Sequence, residues 1–341
     1  MKFGPVSVDK ATGHILGHNV ADSSGRRALR KGKLLTAEDI ALLCSLGRDS
    51  VYVMQVEPGD VDENSAADQI AAVLVDSSLR LSAAQTGRVN IYARQLGVLR
   101  VDVARLDEIN AGPGIALATL RNHSAIRPDR MVATLKVVPF ALAGELVEEV
   151  LAAASANGPT LAIDPIEPSR IGIVLAGSAA AEERISHGYL GALGPRFEAL
   201  GASIECVDYV SLEDEVDEAR LAEVLLRQFE RELDLVLLAG ETAIQDRHDI
   251  APRAIERAGG TVTCYGAPVD PGNLLLLAFK DDTAILGAPG CARSPKTNII
   301  DLVLPRLLAG ERLDSGAIVA LGHGGLLDDV PERPVPRTRA G

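Results

Sequence analysis

Between Leu233 and Pro295 the chain carries the apolar runs LDLVLLAG and NLLLLAF…AILG, which break into loops loaded with acids (GETAIQDRHD) or with an Arg-Ser pair (GAPGCARSP). Strands that are apolar throughout are buried on both faces, as in parallel α/β sheets. Ligands in such sheets sit outside the carboxyl ends of the strands. The glycines, acids, Arg293 and Ser294 are therefore expected to converge where this kind of fold binds small molecules.

The rest of the chain is consistent with that reading. Residues 1–165 read as an irregular α+β domain. Leu34–Leu46 has a helical start signature, Thr36 followed by Glu38 and Asp39, and stops at Gly47. Val51–Val56 alternates like a short strand, Glu57–Asn64 reads as an acidic loop, and Ser65–Leu79 reads as a small-residue helix. Met131–Phe140 is strand-like and Ala141–Ala154 helical. Three prolines in Pro159–Ser169 mark a boundary. Beyond it strands are predicted at Arg170–Ala176, Ser203–Val210, Leu233–Ala239, Asn273–Phe279 and Thr283–Leu286. Helices are predicted at Ala180–Leu200, Asp214–Arg231, Ile250–Ala258 and Pro295–Leu308. Such alternation predicts an α/β domain over 166–312, a doubly wound, mostly parallel sheet with helices on both faces. Residues 313–341 read as an extension, partly mobile from Gly322 onward.

Composition bounds the function. The net charge of −13 argues against a nucleic-acid or anionic-membrane binder, since both need a basic footprint. No run approaches the ~20 apolar residues of a membrane span, and the start MKFGPVSVDK lacks a signal core. Cys44, Cys206, Cys264 and Cys291 form no CxxC and no zinc-type spacing with histidine. A cytoplasmic protein with reduced thiols is expected.

The loop Gly240–Asp249 follows a buried strand and precedes a helix. That position usually welcomes a phosphate, but Glu241, Asp246 and Asp249 repel one. Carboxylates there, Asp246 among them, suit a metal cation or a ligand edge rich in N–H donors, such as that of a pterin or a guanine. The plainer alternative is that Asp249 or a neighbour caps the helix. Gly240 and Thr242 lie in the same loop. In Gly287–Pro295, Ser294 is a credible N-cap with Pro295 at the first helical position. Pro289, Gly290, Cys291 and Arg293 complete a loop that suits a phosphate. Cys291 reads either as a small buried residue or as a contact for a soft metal. Asp270, Pro271, Gly272 and Asn273 form a turn signal that either lines the same cleft or shapes the turn alone. His248 reads as a loop histidine open to solvent or ligand. A phosphorylated heterocycle is the economical ligand for such a charge layout.

At these residues the chain resembles the molybdopterin-binding domain shared by the molybdenumtransferase (MoeA), MogA/MoaB and CinA families. The likeness rests on the strand-Gly loop with Asp246 and Asp249, the Pro271-Gly272 turn, and Gly287-Ala288-Pro289-Gly290, which is similar to a GxPG loop. The whole chain resembles a bacterial group of molybdopterin-binding proteins, some fused to a nucleotidyltransferase-like domain. Here the matching stretches are MKFGPV, EPGDV, VATLKVVPFA, DRHDIAPRAI and PVDPGNLLLL. The resemblance implies molybdenum cofactor biosynthesis, with molybdopterin, or the molybdenum cofactor, as the bound pterin. It implies pterin adenylylation or molybdate insertion with ATP and Mg2+, Asp246 and Asp249 serving as catalytic residues. It also implies a homo-oligomer and a molybdoenzyme maturation partner.

The chain departs from the molybdenumtransferase pattern at Asn273, where that family has a lysine. It also lacks that family's aspartate-rich N-terminal segment with Gly-Tyr. Both departures favour a non-catalytic carrier or sensor as the second reading. A CinA-type nucleotide hydrolase is the third.

Overall fold

The protein is described by a computed structural model covering residues 1–156, 158–212 and 217–327. It divides into two compact units. The first takes Met1–Gln95, Leu99–Asn122 and Ile126–Ile163; the second takes Leu96–Val98, His123–Ala125 and the described residues from Asp164 onward.

The first unit is α+β. Strand Ser50–Gln55 pairs antiparallel with Lys2–Ser7 and with Ile15–Leu16. The helix beside them, Ala37–Ser45, begins with a capping box. Asp39 N donates to the Thr36 side chain, and Thr36 N donates to the Asp39 carboxylate. Leu16, Leu35, Leu43, Val51 and Val53 form the small core here. A four-stranded antiparallel sheet runs in the order Ile115–Thr119, Met131–Val137, Arg88–Ala93, Leu79–Leu81. Along Arg88–Ala93, Val89, Ile91 and Ala93 are buried in alternation, the period-2 pattern of a strand with one covered face. The covering helices are Glu63–Leu74 and Gly144–Ser155, and Ile70, Leu74, Leu135, Val147 and Val150 fill the space between.

Three expectations shift in this unit. The acidic stretch expected to be a loop contains strand Asp60–Asp62, which pairs with Ala141–Ala143, so those residues are strand and not helix. The following helix stops at Leu74, and Leu79 opens a strand. The proline-rich boundary stretch carries strand Leu161–Pro165. Small residues and prolines hide short strands whose only support is a partner distant in sequence.

In the second unit six strands form one sheet: β1 (Ser169–Gly177), β2 (Ala202–Ser211), β3 (Leu235–Gly240), β4 (Thr261–Tyr265), β5 (Leu276–Lys280) and β6 (Thr283–Gly287). The order is β2-β1-β3-β6-β5-β4. β2, β1, β3 and β6 are parallel; β5 and β4 continue antiparallel. The principal helices are α1 (Glu182–Ala199), α2 (Asp217–Phe229), α3 (Ile250–Arg257) and α4 (Ile300–Leu308).

Alternate residues of each central strand serve opposite faces. Ile173, Leu175, Leu235, Leu237 and Leu286 pack with Ile185, Tyr189 and Leu193 of α1 and with Val303 and Leu304 of α4. Val174, Val236, Leu238 and Ile285 pack with Leu221 and Leu225 of α2 and Ile255 of α3. Both faces need apolar side chains, which is why these strands read as unbroken apolar runs. The expected α/β class, with a mostly parallel sheet preceded by an α+β region, is the one observed.

Strand β4 went unpredicted because most of its residues are half-exposed and give no clean alternation. The strand expected to open at Asn273 begins at Leu276. Helix α2 was expected from Asp214, and its first residues lie outside the described ones. The extension expected to be mobile from Gly322 is joined at first to the turn at Asp270: Asp270 N donates to Gly325 O, and Leu327 N donates to Asp270 O. Residues 328–341 lie outside the described ones. Among the described residues no helix is long and apolar enough to cross a membrane.

Candidate functional site

The connection after β1 returns to β2 on one side, while that after β2 crosses to β3 on the other. The chain therefore switches direction between β1 and β3, the position where open α/β sheets leave a crevice beyond their carboxyl ends. A cleft of about 290 Å³ lies there, lined by Ala176–Ser178 from β1, Leu238–Ile244 from β3 and its loop, and Asp249–Ala251 at the start of α3. Its volume is at the lower end of ligand clefts, a size suited to one flat ring system. Leu212, Leu221 and Ala288 complete the wall.

Gly177 is required by close approach. A Cβ there would meet Ile185 Cδ1 at 2.7 Å and Glu241 Cβ at 2.8 Å. The chain next reaches Ser178, whose amide donates to Glu241 Oε2 at 3.0 Å and whose hydroxyl donates to the same oxygen at 2.9 Å. Arg184 Nη2 donates to Glu241 Oε1 at 2.6 Å. The Ser178 hydrogen bonds, with Arg184 beside them, hold the Glu241 carboxyl below its ordinary range. Glu241 is thus an ionised, fixed carboxylate rather than a free one.

Asp249 performs the plainer role foreseen for it, since its Oδ1 accepts from Ile250 N at 2.8 Å and its Oδ2 from Gln245 N at 3.1 Å. Each oxygen of a carboxylate has more than one acceptor site, so a capping aspartate on a cleft wall still faces a ligand as an acceptor. Asp246 is exposed and outside the lining; its Oδ1 accepts from His248 N at 2.7 Å. Tyr265 lies near both aspartates. Burial first, and then the charges of Asp246 and Asp249, raise its phenol's pKa, while its hydroxyl donates to Ile244 O at 3.0 Å.

The second expected loop is built differently from its sequence reading. Gly290–Arg293 is a short 3-10 turn, and α4 begins at Ile300 rather than Pro295. Ser294 is not the cap of α4; its Oγ accepts from Lys296 N at 3.2 Å. The N-cap of α4 is Ile299, which gives no side-chain cap; just before it the buried Asn298 has Oδ1 accepting from Ile300 N at 3.0 Å and Nδ2 donating to Lys296 O and Cys291 O. Arg293 lies over the Tyr189 ring at 5.5 Å from its centroid, and Tyr189 Oη donates to Gly240 O at 3.2 Å. Arg293 thereby connects with the end of β3 through an aromatic ring, without lining the cleft. Cys291 is half-buried, and that burial pushes its thiol up.

Asp270, Pro271, Gly272 and Asn273 form the turn between β4 and β5, with Asn273 O accepting from Ala267 N at 2.9 Å. Gly272 sits at φ +137°, and a Cβ there would lie 2.3 Å from Ile299 Cγ2. Pro271 O accepts from Ile299 N at 3.2 Å. This turn therefore packs on the approach to α4, and none of its residues lines the cleft.

Of the expected residues, the structure brings Gly240, Glu241, Thr242 and Asp249 together, and leaves Asp246, the Asp270–Asn273 turn, Pro289, Gly290, Cys291, Arg293 and Ser294 outside the lining. Ser178 and Arg184 were missed. The signal for Ser178 was present in β1, a second buried strand ending in Gly-Ser. Among the described residues no three His, Cys, Asp or Glu side chains gather as a metal site would require.

Residues 5–55 match a family described as Domain of unknown function (DUF8806). No curated protein matches the sequence. Among solved structures, a molybdenum cofactor biosynthesis protein from Pyrococcus furiosus is 13% identical with a TM-score of 0.25. That match covers 94% of this chain, which spans only 65% of that protein's length. A molybdopterin biosynthesis MoeA protein from Pyrococcus horikoshii OT3 is 13% identical with a TM-score of 0.26, over 91% of this chain and 74% of that one. Molybdenum cofactor biosynthesis protein B is 15% identical with a TM-score of 0.30, over 42% of this chain and 95% of that one. At these scores the likeness carries no argument about chemistry, and what this chain binds has to follow from its own residues.

Proposed function

We propose that the cleft between the ends of β1 and β3 binds a molybdopterin-type phosphorylated pterin, in the service of molybdenum cofactor biosynthesis. The observation that supports it best is Asp249. This carboxylate is on the cleft wall at the sheet's switch point and is fixed by two backbone amides. A pterin edge presents adjacent amino and ring N–H donors, which a fixed carboxylate accepts as a pair. The motifs quoted above make a pterin the heterocycle of choice. In this reading Gly240 and Thr242 bound the ring, and Asp246 stands outside the lining. Arg293, which the sequence offers for the phosphate, does not line the cleft, so no residue is assigned to the phosphate.

The protein residues do not fit a resident magnesium ion. Asp246 is exposed, and no second and third ligand gather with it among the described residues. No step is assigned to a metal here. We accordingly place binding ahead of catalysis, and a carrier or sensor role is the second reading. The engaged state of Glu241 and Asp249 favours it, as does Asn273 in place of a lysine. A homo-oligomer, a cytoplasmic location and a molybdoenzyme maturation partner belong to the same proposal.

Incubating the purified chain with molybdopterin, ATP, magnesium and molybdate separates the readings. Stoichiometric retention of unchanged pterin is the result expected of a carrier. Turnover to an adenylylated or metallated product assigns pterin adenylylation or molybdate insertion. Turnover of free dinucleotides with no pterin retained would overturn both in favour of a CinA-type hydrolase. Within the binding reading, Asp249→Asn and Asp246→Ala are expected to weaken retention, Asp249→Asn more strongly because Asp249 lines the cleft.

A further inference from the structure

One cationic segment has no part in the strand-end cleft. Ser23–Lys33, SSGRRALRKGK, holds five cations and no acid in a chain whose net charge is −13. In the first unit this segment borders a cavity of about 1210 Å³. Arg30, Lys31 and Lys33 line it, and so does Lys136 from strand Met131–Val137; Glu63 is the one acid in its wall. Glu63 is already matched to Lys136, with Nζ 3.4 Å from Oε2, and Lys33 is ion-paired with Asp39. Arg30 and Lys31 are exposed, and neither has an ion-pair partner among the described residues.

Their backbone is nevertheless fixed. Lys31 N donates to Asn19 Oδ1 at 2.9 Å, Gly32 N to Leu16 O at 2.7 Å, and Leu16 N to Lys33 O at 2.8 Å. The same wall presents the rings of Phe3, His18 and Phe140. Phe3 and His18 stand edge to face, with centroids 5.5 Å apart. Gly17 passes so close to Phe3 that a Cβ would lie 2.5 Å from the ring, so the Phe3 ring packs directly on the Gly17 backbone.

Unpaired cations on a pinned backbone suit phosphate oxygens, which accept from guanidinium and ammonium donors. Aromatic side chains in the same wall suit a flat base. A local basic patch on an acidic protein raises the nearby concentration of small anions. It does not serve a long polyanion equally, because the remaining surface repels a backbone that must track across it.

We propose that the first unit's cavity binds a small polyanion carrying an aromatic ring, of the nucleoside polyphosphate class. Arg30 and Lys31 hold the phosphates, and the Phe3–Phe140 side receives the base. This site is separate from the strand-end cleft and stands whether or not that cleft binds a pterin.

The test uses the full chain and ATP in magnesium-free buffer, read by isothermal titration calorimetry. Saturable one-site binding is expected, at least tenfold weaker in R30A/K31A and in the milder R30Q/K31Q, with inorganic tripolyphosphate displacing ATP. The cleft variant Asp249→Asn is expected to bind ATP as the parent does. Any of four results overturns the proposal: no saturable binding, failure of tripolyphosphate to displace, unchanged affinity in both cation variants, or tighter binding of a twelve-nucleotide single strand than of ATP at equal salt. Loss in Asp249→Asn with none in R30A/K31A would move the nucleotide site to the cleft.

Discussion

At the strand-end cleft every acid that made its loop conspicuous is already in use. Glu241 is held by Ser178 and Arg184, Asp249 by the amides of Gln245 and Ile250, and Asp246 by the amide of His248. At the cavity of the first unit the opposite holds, since Arg30 and Lys31 are exposed with no ion-pair partner among the described residues. The cleft is a fixed part of the scaffold that offers leftover acceptor capacity. At the cavity, two of the four lining cations, Lys33 and Lys136, are paired, and Arg30 and Lys31 are left unneutralised among the described residues. A substitution at the cleft should therefore cost stability as well as binding, whereas one at the cavity should cost binding alone.

The largest test of that contrast lies beneath the cleft. Leu237 of β3 is fully buried, and Leu237→Ala should lose about 3 kcal/mol by denaturant unfolding. Next is the turn at Gly272, where Ala meets Ile299 and a left-handed backbone together. Gly272→Ala should cost about 2 kcal/mol, read as a lowered melting temperature. A neutral result there would mean the turn is free to move and would return it to the list of ligand-facing segments.

Smaller still, Asp249→Ala removes the cap of α3 and should cost about 1 kcal/mol. Asp249→Ser should restore most of that stability by capping in turn, yet leave pterin retention impaired. Full retention in the Ser variant would reduce Asp249 to a cap alone.

Glu241 gives a pH signature. Its folded carboxyl titrates below the ordinary value, so its contribution is complete above about pH 4.3 and disappears as pH falls through the folded value. Glu241→Gln should therefore show a shallower loss of stability on acidification than the parent, compared by urea midpoints from pH 6 to pH 3. The smallest effect is expected in the cavity, where R30A/K31A should shift stability by no more than about 0.5 kcal/mol. A larger loss would show that these cations hold the fold together, and the contrast would fail.

The same contrast explains what could be seen in the sequence. The doubly wound sheet was legible because β1, β3 and β6 bury both faces and so lack polar interruptions. The Thr36 cap was legible because its partner Asp39 is three residues away. Ser294-Pro295 misled because the helix starts six residues beyond Ser294, at Ile300, after a segment fixed by the buried Asn298, whose burial no local pattern reports. The pairing of Glu241 with Ser178 and Arg184 was invisible because it joins the loop after β3 to the end of β1 and the first turn of α1, some sixty residues earlier. Arg30 and Lys31 gave no expectation from sequence, because the wall that makes them part of a cavity includes Lys136 and Phe140, far along the chain.

The account stands most directly on what occupies the strand-end cleft. Protein purified from a cofactor-producing host is to be denatured and the released ligand identified by mass spectrometry, for the parent and for Ala251→Trp, which fills the cleft from the start of α3. A phosphorylated pterin near one equivalent per chain in the parent, and at least tenfold less in the variant, is the result predicted. Parent protein carrying no pterin, or a variant carrying as much as the parent, would contradict it.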